Sequence, residues 1–333
     1  MRIRIFNEWN FIEQSEPMKK TFKTFAEHLS RISRQVNHKD IENPKIDTYL
    51  QQLRKRGFVI LDDLAGSLDF KNLKKKLDIK IEQDFDLEFP CLAQSKIDEE
   101  QDRDLINRNF LASKDELSNR GLTFSRDEIQ SYRQMIDNFK PSTLTTPMPS
   151  ENAFYNLWLN PTLMAIVSNY MGFYPHLTEA YIRRNFPCIF PVMNHNWHRD
   201  TNHETHLLKA FMFFTDCDIN TGAHHYIAGS VNDSRFRDKI YYTDDEINSE
   251  WPTGSDNHMI STVKAGTIII EDTRGLHKAG IPRKAYRDLG FAVFLPPNIL
   301  RKSKPLYQIE KSTFDQLTRE QKLFIPSSNI VDG

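Results

Sequence analysis

Apolar residues recur at steps of three and four between residues 18 and 36 (Phe22, Phe25, Leu29, Ile32, Val36), which predicts an amphipathic helix used for packing. Residues 45–55 repeat the pattern. Arg56-Gly57 breaks it before Phe58-Val59-Ile60-Leu61, a short apolar run that reads as a buried strand. Residues 66–140 are charge-rich and mostly helical in composition, and Ser125 with Glu128 forms a capping box opening a helix that runs to about Phe139. Three prolines among Ser and Thr make Lys140 to Asn152 a loop or a domain seam. Asn160-Pro161 then supplies a cap and a first-position proline, and Gly172 the stop.

From about Leu177 the pattern changes to short aromatic and β-branched runs: Thr178 to Phe186, Leu207 to Thr215, Thr267 to Glu271 and Leu289 to Leu295, parted by Gly, Asn and Pro. These predict an antiparallel β domain. Helices that precede the strands rather than alternate with them give an α+β class, not a doubly wound sheet. No period of twenty to fifty residues marks a repeat protein.

The 333 residues suffice for a large core, and 39% hydrophobic against 27% charged residues describes a globular chain. A net charge of -1 leaves no basic surplus for phosphates, so nucleic-acid binding is disfavoured. The amino terminus lacks a signal-type apolar core and no run of about 18 apolar residues occurs, so no membrane span and a cytoplasmic location are expected. Cys91, Cys188 and Cys217 are widely spaced, with neither a zinc pattern nor a disulfide framework, and are expected to be reduced fillers.

Eight of the 11 histidines fall between residues 195 and 277. Within this cluster, His198-Arg199-Asp200 places an imidazole and a carboxylate on one side of an extended chain, where they can grip one ion. Chance alone produces about one such pair in a chain of this composition, and His38-Lys39-Asp40 is a second, polar and without a strand around it. A facial triad needs one further histidine and leaves coordination positions open. His277, beyond the strand Thr267 to Glu271 and the turn Asp272 to Gly275, sits at a strand end or rim. Arg287 shares strand phase with Leu289, Phe291, Val293 and Leu295, so it is expected to face the interior, where a guanidinium needs an anion such as a dicarboxylate. Arg283, its rival, lies in a turn expected to be solvated.

His198-x-Asp200, Asn220-Thr221-Gly222-Ala223 running into Ile227-Ala228-Gly229-Ser230, His277 and Arg287, in that order, resemble the phytanoyl-CoA dioxygenase family of Fe(II)- and 2-oxoglutarate-dependent oxygenases. Arg56 to Leu61 and the helix from Asn160-Pro161 to Gly172 look like that family's amino-terminal half. The resemblance implies a double-stranded β-helix (jelly roll) over residues 45–300 with a helical amino-terminal half packed on it. It also implies His198, Asp200 and His277 as catalytic ligands of iron, and Arg287 on the distal carboxylate of 2-oxoglutarate. An intact Asp200 points to hydroxylation or a related C–H oxidation, because halogenating members carry Gly or Ala there. The chain departs from the family pattern at Lys278-Ala279, which leaves no small hydroxyl residue after His277, and at Val231, where a histidine is often found.

The implied reaction uses O2, hydroxylates a small-molecule substrate and releases succinate and CO2. Two alternatives use the same residues: a zinc-dependent hydrolase or cupin-like isomerase, and a non-catalytic ligand-binding jelly roll. Residues 1–44 read as a helical amino-terminal extension, about 66–150 as a helical insertion, and 301–333 as a carboxy-terminal segment packing on the core. Arg183, Arg184 and Lys209 are candidates for binding an anionic substrate. Trp197 is expected to pack away from His198, while His195, His203, His206, His224 and His225 read as structural or rim residues. The stretch 89–152 reads either as a lid or as a surface excursion. No protein partner is implied. The His198-Arg199-Asp200 triplet is not a kinase catalytic loop, since neither a glycine-rich loop nor Asp-Phe-Gly accompanies it.

Overall fold

Successive side chains in the long strands of the carboxy-terminal half enter two different cores. The computed structural model describes residues 44–62, 70–83, 91–104, 114–149, 151–188, 195–201, 207–297 and 307–332. The helix expected over 18–36, the His38/Asp40 pair, His203 and His206 lie outside them.

In chain order the first elements are α1 (Pro44–Arg56), β1 (Phe58–Leu61), α2 (Phe70–Gln83), α3 (Lys114–Asn119), α4 (Tyr132–Phe139), β2 (Thr143–Pro147), α5 (Asn152–Trp158) and α6 (Pro161–Met171). Next come β3 (His176–Asn185), β4 (Trp197–His198), β5 (Leu208–Phe213), β6 (His224–Ile227), β7 (Tyr241–Tyr242), α7 (Asp244–Asn248), β8 (His258–Ile260), β9 (Ile268–Asp272), β10 (His277–Ala279) and β11 (Arg287–Leu295). The last are β12 (Ile309–Glu310), α8 (Lys311–Gln316), α9 (Arg319–Leu323) and β13 (Ile330–Val331).

Six strands form a larger sheet in the order β1-β9-β5-β11-β3-β2, and five form a smaller one, β7-β4-β10-β6-β8. Strand phase sorts the larger sheet's side chains. Leu208, Ala210 and Met212 of β5, Ile268 and Ile270 of β9, and Ala292 and Phe294 of β11 share a core with α1, α2, α5 and α6. The alternate residues Phe211, Phe213, Ile269 and Leu289 join a second core with Ala223 and the half-buried Ile260 and Val263. The result is an α+β chain with an antiparallel jelly-roll core, its larger sheet sandwiched between helices and the smaller sheet. Gly290 makes room for the helices, since a Cβ there would lie 2.9 Å from Phe214 and 3.0 Å from Trp158. The carboxy-terminal residues belong to the helix-side core through Tyr307, Ile309, Phe324 and Ile325. No helix among the described residues is long and apolar enough to cross a membrane.

Two local expectations are corrected. Ser125 N does donate to Glu128 Oε2 at 2.7 Å, but that box heads only a 3-10 turn. The α-helix starts at Tyr132, where Ser131 accepts from Gln134 N and puts Met135 and Phe139 into a local core with Cys91, Phe124 and Leu144. The proline-bearing stretch after Lys140 contains strand β2, which pairs with β3 from Thr143↔Asn185 to Pro147↔Tyr181. It is the edge strand, where a missing N–H is tolerated.

Candidate metal and dicarboxylate site

Pairing of β4 with β10 sets His198 directly opposite His277, with ring centroids 4.3 Å apart. Asp200 N donates to Thr273 O at 2.9 Å, which extends the pairing and brings the carboxylate alongside. His198 Nε2 lies 3.9 Å from Asp200 Oδ1, and His277 Nε2 lies 3.7 Å from Asp200 Oδ2. The three ligand atoms are within 4.8 Å of one another, a grouping that could hold one metal ion.

Backbone contacts fix both tautomers. His198 Nδ1 is 2.8 Å from Asn196 O, and His277 Nδ1 is 3.0 Å from Gly275 O. A carbonyl only accepts, so each Nδ1 carries the proton and each Nε2 turns a lone pair toward the other ligands. His198 Nε2 is buried and has no hydrogen-bond partner, which suits a metal ligand. Burial, with the neighbouring His277, pushes the His198 pKa well down, and burial takes that of His277 to about 4. Burial opposes ionisation of Asp200, but the charge and hydrogen bond of the Lys209 ammonium outweigh it and hold the carboxyl well below the usual range. Two neutral imidazoles and one carboxylate suit a divalent first-row metal with open positions.

The shell behind these ligands is built from the sequence between them. Arg199 points away from the triad and donates to five carbonyls: Phe236, Ser230, Arg274, Asp233 and Arg235. It ties the His198 strand to the turn that precedes His277. Ser230 Oγ accepts from Leu276 N and donates to Ile227 O, pinning the same turn. Trp197 packs on the far side with Ile227, Tyr242 and Trp251, its Nε1 donating to Asp244 at 2.7 Å.

A cavity of about 500 Å³, open mouth included, runs between the sheets. His198 and His277 line it together with Arg183, Lys209, Phe211 and Arg287. Arg287 is 2% exposed. Its Nη1 donates to Gly222 O, Nη2 makes a long 3.5 Å contact with Asn185, and Nε has no hydrogen-bond partner. Among the described residues it has no ion-pair partner. Gly222 reaches it in a left-handed turn (φ 85°) that Asp218 ties through Asn220 N and Thr221 N.

Of the three candidate substrate residues, two line this cavity. The Arg183 guanidinium lies over the rings of Tyr181 and Phe291, 5.4 and 5.3 Å from their centroids. Lys209 Nζ is 2.5 Å from Asp200 Oδ2, a contact that the sequence did not disclose. Arg184 is elsewhere: strand alternation sends it to the helix side, where it grips Asp288 at 2.7 and 2.8 Å and Asp78 at 2.6 Å. Its charge is already matched, so the substrate role considered for it is withdrawn. Arg283 is exposed and donates to Cys188 O.

His195 and His224 also line the cavity. His224 Nε2 bonds the buried Glu271 at 2.8 Å. Burial lowers His224 to about 3 and raises Glu271 well above the carboxylate range, which makes this a neutral pair. His225 is not among the cavity's lining residues; it is buried beside Trp197 and bonds His258 at 3.0 Å. No described residue of 89–152 lines the cavity.

No protein-family model and no curated protein matches the chain. Solved structures do. EctD from S. alaskensis with 2-oxoglutarate and 5-hydroxyectoine is 15% identical, with 90% of each chain covered and a TM-score of 0.48. The non-heme alpha ketoglutarate dependent epimerase SnoN from nogalamycin biosynthesis is 12% identical over 76% of this chain and 84% of its own, at 0.46. HygX from Streptomyces hygroscopicus with nickel, 2-oxoglutarate and hygromycin B is 13% identical over 86% and 96%, also at 0.46.

Proposed function

We propose that the chain is an Fe(II)- and 2-oxoglutarate-dependent oxygenase that hydroxylates a small molecule, in the manner of the phytanoyl-CoA dioxygenase family it resembles. The observation that carries this reading is one cavity lined by His198 and His277, beside Asp200, and also by the buried Arg287 guanidinium, which has no ion-pair partner among the described residues.

The residues suit the two groups. His198 and His277 offer Nε2 lone pairs held by backbone carbonyls, and Asp200 adds one negative charge. Arg287 offers donors to a carboxylate in surroundings that exclude water, where a charge-assisted bond is strong. With iron, 2-oxoglutarate and O2 bound, the chemistry supplied is insertion of one oxygen atom into a substrate C–H bond, with succinate and CO2 as coproducts. The protein's part is placement: Phe211, Leu289 and Phe291 give the same cavity apolar walls, and Arg183 adds a cation to its lining.

The test is a screen of small molecules read out as substrate-dependent succinate release, with His198→Ala as the blank. Release that requires iron and 2-oxoglutarate and vanishes in the variant is expected. Turnover of any substrate with zinc and no 2-oxoglutarate would overturn the reading.

A further inference from the structure

We infer that Lys209 couples metal binding to anion binding at this site, so that the protein takes up its metal tightly only together with a carboxylate ligand. This deepens the proposed function and rests on His198, Asp200 and His277 being the metal ligands.

The ammonium sits 2.5 Å from the very oxygen of Asp200 that faces His277. Both side chains are largely buried, at 11% and 12% exposure. A cation accepted by the triad therefore arrives beside a fixed positive charge that already uses the only ligand carrying negative charge. Burial keeps that opposition strong, because little water screens it.

The rest of the described wall adds no negative charge. Among the described residues, the charged side chains lining the cavity are Arg183, Lys209 and Arg287, and no Asp or Glu is with them. Glu271 lies opposite Lys209 in the β5–β9 register, but its carboxyl bonds His224 and is pushed toward the neutral form. A divalent ion entering alone thus adds charge to an already cationic chamber. An anion that ligates the metal restores the balance, and Lys209 is placed to receive it. Position 278, directly after His277, carries Lys278, whose ammonium is instead paired with Asp244. Strand phase explains Lys209's direction: it stands two residues before Phe211 on the same inward face.

Linkage makes the coupling reciprocal, so metal must strengthen anion binding by the factor that anion strengthens metal binding. The experiment is calorimetric titration of the full chain with Mn²⁺, which binds without turnover, in the absence and presence of 2-oxoglutarate. Lys209→Met and Lys209→Gln remove the charge, and Lys209→Arg keeps it. Without 2-oxoglutarate, both neutral variants are expected to bind Mn²⁺ about tenfold tighter than the wild type. Added 2-oxoglutarate should strengthen Mn²⁺ binding more in the wild type and Lys209→Arg than in the neutral variants. Equal or weaker Mn²⁺ binding by the folded neutral variants would overturn the coupling. Mn²⁺ binding that persists unchanged in Asp200→Asn would overturn the metal site itself, and the coupling with it.

Discussion

His198 and His277 are separated by 79 positions in sequence yet stand as direct cross-strand partners, each with Nδ1 held by the carbonyl two residues before it. The same i to i−2 contact on both strands aims the two Nε2 atoms at the space that Asp200 closes. Removing any one of the three therefore breaks a preformed set. Asp200→Ala and His277→Ala are each expected to weaken Mn²⁺ binding more than the about 10–100-fold typical of changes behind the ligands. Far-ultraviolet circular dichroism should stay unchanged. Retained affinity in either variant would contradict the assignment.

The turn before His277 is sensitive to a single methyl group. A Cβ on Gly275 would lie 2.0 Å from Tyr226 Oη, and Tyr226 is fully buried with its hydroxyl bonded to Asp272 O at 2.7 Å. Gly275→Ala must displace the backbone whose carbonyl orients His277. Metal affinity is expected to fall by about 10–100-fold, although no ligand has changed. Titration with Mn²⁺ checks this, and wild-type affinity would show that the Gly275 carbonyl does not matter.

Arg184 and Asp288 form a buried two-pronged pair, with side chains 3% and 0% exposed. Arg184→Met would leave Asp288, among the described residues, with Lys74 as its remaining ion-pair partner and is expected to cost about 3–5 kcal/mol of stability. Urea unfolding measures that loss. Because Arg184 lies outside the cavity, the affinity of the folded variant for Mn²⁺ should be unaltered, whereas a specific loss of Mn²⁺ or 2-oxoglutarate binding would return it to the site.

Burial lowers His195, His224 and His225 from 6.5 to about 3. The unfolded chain then binds more protons than the folded one between those values, so the stability these neutral imidazoles contribute is complete above about pH 6.5 and is lost as pH falls toward 3. Urea midpoints measured without metal at pH 7, 6, 5 and 4 should decrease steadily. A flat profile would mean that the three rings are not buried in the neutral form.

Much of the larger sheet was legible because its strands are long, apolar and fixed in phase. Phe58 to Leu61 falls on β1 without adjustment, and the inward direction of Arg287 follows from alternation with Leu289 and Phe291. The smaller sheet was not. Strands such as Trp197–His198, Tyr241–Tyr242 and His277–Ala279 span two or three residues, too few to show a period, and their order comes from long-range pairing alone. The outward turn of Arg184 beside the inward Arg183 was available from alternation, but only once the helices were known to bury the sheet's other face. Lys209 was legible as a candidate, but its partner was not: an ion pair with Asp200 depends on two sheets meeting across the core, which no local pattern records. The partners of Arg199 among the described residues are likewise backbone carbonyls, which no sequence signal names.

Anaerobic absorption spectroscopy tests the central claim most directly. Adding Fe²⁺ and then 2-oxoglutarate to the full chain is expected to produce the weak visible charge-transfer band of the iron-bound keto acid. The band should be absent in Asp200→Ala and should require far more 2-oxoglutarate in Arg287→Met. No band from folded wild-type protein, or the same band at the same 2-oxoglutarate concentration in Arg287→Met, would contradict the account.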